Sequence, residues 1–172
     1  PDGVREHYQA LGNLVFFVNV SSTLGAELWK TDGTVSGTGL VKDIISGATG
    51  SNPSFLVAMG DYMYFTADDG DHGTELWRSD GTSSGTQLVA DILPGSTSST
   101  PQWLTPVGGK LYFTATGGSE GRQLWRYDPL AATPLERVAI INPSADCEPL
   151  IGYSHPEWST SGFNPSYPDG FL

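Results

Sequence analysis

The sequence predicts an all-β chain of three successive four-stranded antiparallel sheets, read as blades of a β-propeller. Three observations carry this. A Trp-centred segment recurs three times, with Trp29, Trp77 and Trp125 each 48 residues from the next. The apolar runs are short, rich in aromatic and β-branched residues, and bounded by Gly and Asp, which tolerate the backbone of tight hairpin turns. No segment holds a helical period over a useful length.

The units run over about 1–49, 50–98 and 99–147. Besides the tryptophans, Gly12, Gly60 and Gly108 are in phase, as are Phe17, Phe65 and Phe113; Asp43 pairs with Asp91 and Pro53 with Pro101. In the middle unit the strands are predicted at 54–59, 62–67, 74–79 and 87–92. The second of these, Tyr62-Met63-Tyr64-Phe65-Thr66, suits a pleated surface, and Leu14-Val15-Phe16-Phe17-Val18 and Leu111-Tyr112-Phe113-Thr114 are its counterparts. Four strands in this length match one propeller blade. One sheet cannot bury both faces alone, so stacked blades cover each other, with each Trp filling the gap to a neighbour.

Within the middle unit, Glu75-Leu76-Trp77-Arg78-Ser79-Asp80-Gly81-Thr82, followed by Gly85-Thr86, Leu88-Val89 and Asp91-Ile92, closely resembles the ELWxxDGT repeat of large secreted or surface proteins. The resemblance covers about residues 7–143 and implies propeller-like sheets without assigned catalysis. The third unit departs from it. Pro129-Leu130 replace Gly-Thr, Ile140 takes the place of Asp91, and one extra residue sits near Leu135, as in a capping unit. Residues 148–172 leave the repeat and read as an extended tail, rich in Pro and aromatics. Closed propellers typically have four to eight blades. Three units therefore imply further blades elsewhere, or copies packing together. A three-sheet β-prism is the alternative that closes with three.

Charge narrows the partners. Eight Lys and Arg against 19 Asp and Glu give a net charge of −11, with no basic stripe to displace counterions from nucleic acid. No apolar run is long enough for a membrane helix. Cys147 stands alone, so no disulfide forms within the chain. The chain begins with Pro1, which fits either a removed leader or a segment of something longer.

Candidate chemistry is sparse. Asp32, Asp80 and Asp128 recur after each Trp, and such repetition points to turns capped by a carboxylate rather than to a shared ligand site. Ser79-Asp80-Gly81-Thr82 is similar to the sialidase Asp-box, itself a turn motif away from that enzyme's active site. The acidic loop 68–75 offers Asp69 and Asp71 as calcium ligands, although the equivalent loops of the other units lack the acids; no other cofactor is expected. Gly81-Thr82-Ser83-Ser84-Gly85 fits the nucleophile-elbow pattern but has a strand where that motif needs a helix. His7, His72 and His155 show no metal-type spacing. Asn19-Val20-Ser21 is an N-glycosylation acceptor in a glycosylating source.

These features point to a non-catalytic, extracellular or cell-surface structural module. Its expected partners are proteins, met through further blades or copies of itself, in an assembly such as a fibre or sheath. A carbohydrate-binding module using Trp103 and Trp158 is the alternative. A segment of a propeller hydrolase ranks third, because no acid–base pair is recognisable.

Overall fold

The computed structural model describes residues 8–139. Twelve strands occur there, without a helix. Sheet 1 comprises β1 (Tyr8–Leu11), β2 (Leu14–Ser21), β3 (Gly25–Thr31) and β4 (Gly39–Lys42). Sheet 2 comprises β5 (Ser54–Met59), β6 (Tyr62–Asp68), β7 (Thr74–Ser79) and β8 (Gln87–Ala90). Sheet 3 comprises β9 (Gln102–Val107), β10 (Lys110–Thr116), β11 (Arg122–Tyr127) and β12 (Leu135–Ala139). Each is an antiparallel meander in chain order. The 148–172 tail, Cys147, Trp158, His7 and His155 lie outside the described residues.

Side-chain alternation on β6 explains its unbroken apolar run. Met63, Phe65 and Ala67 point to sheet 1, where they and Trp77 pack on Phe16, Leu28 and Val41. Tyr64, with Leu76, Met59 and Ile92, points the other way and packs on Leu111, Phe113, Ala115 and Tyr127 of sheet 3. The Tyr64 and Tyr127 rings lie 5.8 Å apart, and burial pushes the Tyr64 phenol up to about 12. A strand with both sides covered needs apolar residues at both parities; burying each large one stabilises by about 1.5–3 kcal/mol.

The sheets do not close. The first strands of successive sheets, β1, β5 and β9, approach one another in turn, while sheets 1 and 3 share no comparable strand contact. This agrees with the expectation of three blade-like sheets that do not close by themselves: they are stacked as propeller blades would be and, among the described residues, form no closed ring. It also disfavours the β-prism, which requires every sheet to meet both others.

At each junction the backbones nearly touch. Asn52 donates its N–H to the Ala26 carbonyl at 3.0 Å, and Thr100 does the same to Thr74 at 3.1 Å. A Cβ on Gly25 would lie 2.4 Å from the Gly50 nitrogen, so glycine alone fits that crossing.

Candidate functional site

The recurring acids split into two sets. In the first, Asp32 Oδ1 accepts from Thr34 N at 2.9 Å and Thr34 Oγ1 at 2.7 Å. Asp80 Oδ1 accepts from Thr82 N at 2.8 Å and Thr82 Oγ1 at 2.7 Å. Asp128 Oδ1 accepts from Leu130 N at 3.1 Å, while its Oδ2 accepts from Lys110 Nζ. Each carboxylate thus holds its own turn, and the three do not converge. The threonine donors hold Asp32 and Asp80 below the ordinary value of 3.8; Lys110 does the same for Asp128.

A pH dependence follows. Depressed folded-state values mean that these aspartates stabilise the fold above their unfolded values and lose that contribution as pH falls through the folded ones. Thermal unfolding from neutral pH to below 3.8 should show a falling acid limb. In the D32N/D80N variant, which keeps the acceptor and removes the charge, that limb should be shallower. Superimposable profiles would refute the assignment.

The second set is Glu27 and Glu75, both fully buried. Glu27 of β3 accepts from Ser51 N at 2.8 Å, Ser51 Oγ at 2.5 Å and Ile45 N at 3.3 Å. Glu75 of β7 accepts from Ser99 N at 2.7 Å, Ser99 Oγ at 2.6 Å and Ile92 N at 3.0 Å. Each carboxylate therefore holds the residue that leads into the next sheet. Burial pushes the Glu75 carboxyl up, against the pull of the Ser99 donors. From sequence, Glu75 opens the Trp-centred repeat segment and closes the acidic loop, with no long-range partner indicated. The readable signal was spacing: both serines stand 24 residues after their glutamates.

The acidic loop is internally engaged. Asp69 accepts from His72 N at 2.8 Å and Asp71 N at 3.0 Å through Oδ1, and lies 2.8 Å from His72 Nδ1 through Oδ2. Burial opposes the Asp69 charge, but these donors outweigh it and hold the carboxyl below its usual value. Among the described residues no three His, Cys, Asp or Glu side chains gather as metal ligands. Asp43 and Asp91, in phase, each keep a buried Oδ1 without a partner.

Asn19 lies within β2, half-buried and paired with Glu27. The backbones of Phe55 and Trp103 are left-handed, with φ of 54° and 60°, as are those of Asn52 and Thr100 at 50° and 48°. Such residues cost about 1–3 kcal/mol each and persist only where the surroundings impose them. The Phe55 and Trp103 rings stand 6.3 Å apart, and Trp103 is 71% exposed.

The three repeat tryptophans differ in setting. Trp77 is buried against sheet 1. Trp125 packs against sheet 2 and donates Nε1–H to the Ala115 carbonyl at 3.2 Å. Trp29 occupies the same register on sheet 1, where no other sheet among the described residues covers it, and is only partly buried. It lies in a row across that sheet: Tyr8 opposite Phe17, Phe17 opposite Trp29, Trp29 opposite Leu40. Compared with known proteins, the chain matches no family, no curated protein and no solved structure.

Proposed function

We propose that this chain is a non-catalytic structural and interaction module of the cell surface or extracellular space, acting through protein partners. The observation that supports it most is how the recurring acids are used. Asp32, Asp80, Asp128, Glu27 and Glu75 all bind the chain's own donors, and each of the five accepts from a backbone N–H group of a turn or sheet junction. What remains for partners is apolar sheet face and exposed aromatic surface. The likeness to the ELWxxDGT repeats accords with this, as does the net charge of −11, which disfavours polyanions.

The test is a substrate panel together with a glycan array. Neither turnover of glycosides or esters above a protein-free control nor glycan binding is expected. Turnover that persists through repurification would overturn the reading. A glycan retained by the native chain and lost in Trp103→Ala would replace it with the carbohydrate-binding one, for which the exposed Trp103 beside Phe55 is the specific observation.

A further inference from the structure

Among the described residues, the outer face of sheet 1 is the unoccupied copy of a surface that is covered twice elsewhere. Val15 stands where Met63 and Leu111 stand in the following sheets, Phe17 where Phe65 and Phe113 stand, and Trp29 where Trp77 stands. In sheets 2 and 3 most of these positions are almost wholly buried, Met63 0%, Phe65 0%, Leu111 0%, Phe113 1% and Trp77 5%, while Trp125 is partly buried. In sheet 1, Val15 is 38% exposed and Tyr8, opposite Phe17 on the same face, 63%. Isolated exposed apolar side chains are ordinary; a contiguous row on one sheet face marks an interaction surface.

The internal junctions also define what fits. Both cover this surface with the opposite face of a like sheet: Phe16, Leu28 and Val41 at the first, Tyr64 and Leu76 at the second. That complementary face occurs once more on sheet 3, where no sheet among the described residues covers it. There Tyr112 stands in the place of Phe16 and Tyr64, Leu124 in that of Leu28 and Leu76, and Val138, 47% exposed, in that of Val41. Val138 shares the bulge of Val41, each lying between the paired partners of the Leu and Trp of the third strand. A polar contact from Lys30 accompanies the first junction only; at the second, Arg78 lies over the Tyr62 ring of its own sheet. Lys30 Nζ donates to the Gly81 carbonyl of the next sheet at 2.7 Å. On sheet 3 the Lys30 place is held by Arg126, which pairs with Glu136 of its own sheet at 2.6 Å, and on sheet 1 the Gly81 place by Gly33.

We infer that the sheet 1 face (Tyr8, Val15, Phe17, Trp29) docks the sheet 3 face (Tyr112, Leu124, Val138) of a second copy of this chain, head to tail, continuing the interface already made twice within it. The inference rests on the interaction-module reading and names its partner. Because the two surfaces differ, the contact is heterologous, and copies join in a ring or an open row.

Two substitutions test it in the full chain: Val15→Glu blocks one surface and Val138→Glu the other. Both positions are partly exposed, and unchanged far-ultraviolet circular dichroism and melting temperature confirm folding. In sedimentation velocity the native chain should gain mass with concentration, whereas each variant alone should stay at the mass of one 18.3 kDa chain. An equimolar mixture of the two should run at twice that mass, since each supplies the face the other lacks. A native chain that stays monomeric throughout, variants that associate as the native does, or a mixture that stays monomeric would each overturn the proposal. These outcomes leave the non-catalytic reading intact, because that reading fails only on turnover or glycan binding.

Discussion

Replacing Glu75 with alanine should cost about 3–5 kcal/mol of stability, a large fraction of what a domain this size possesses. The reason is what it leaves behind. Ser99 N, Ser99 Oγ and Ile92 N all donate to this carboxylate in a buried junction, at 2.6–3.0 Å. Without it three donors are buried unpaired, each worth about 1–3 kcal/mol, with entering water recovering part. Glu75→Gln keeps an acceptor of the same shape and should lose far less. The acid's titration gives a second readout. Its folded-state value lies above the ordinary 4.5, so the glutamate's contribution is full below that pH and declines as pH rises through the folded value; Glu75→Gln removes this slope. Urea unfolding at several pH values measures both. A loss under about 1 kcal/mol in Glu75→Ala would show that the junction does not depend on this group.

Trp77→Ala and Trp29→Ala should differ sharply, although the two residues occupy the same place in their repeats. Trp77 is 5% exposed, among Phe16, Met63 and Phe65, so its removal opens a cavity between two sheets and should cost about 3–5 kcal/mol. Trp29 faces outward, and its truncation in dilute solution should cost less than about 1.5 kcal/mol. Denaturant midpoints with unchanged m-values decide the comparison. Equal losses would mean that Trp29 is packed as tightly as Trp77, contrary to the open face of sheet 1.

Much of the fold could be read from spacing. The first and third strands of the middle unit fall at the predicted 54–59 and 74–79, because turn glycines and alternating side chains mark both ends. The fourth stops at Ala90, short of the predicted Ile92, because Ile92 gives its N–H to Glu75 instead of to the ladder. That departure is a long-range effect no local pattern encodes. The same holds for the candidate site. Asp32 and Asp80 bind threonines two residues on, so their chemistry lies within one short segment. Glu27 and Glu75 look like the polar side of an alternating strand until a serine from the next unit reaches them. The left-handed backbones of Phe55 and Trp103 gave no sign either, since bulky residues seldom adopt them. The unlike settings of the three tryptophans follow from position in the stack and not from their surrounding sequence, which is nearly the same in the first two units.

The glutamate–serine joint bears on how such a chain can lengthen. The middle unit carries Ser51 ahead of its first strand and Glu75 on its third, one half of the joint to its front and the other to its rear. A tandem duplication of that unit would arrive with both its hook and its eye, able to couple to either neighbour without any change in them. Gene-level growth or shrinkage by whole units is therefore chemically smooth, while an insertion or deletion within the glutamate-to-serine spacer breaks the coupling at once.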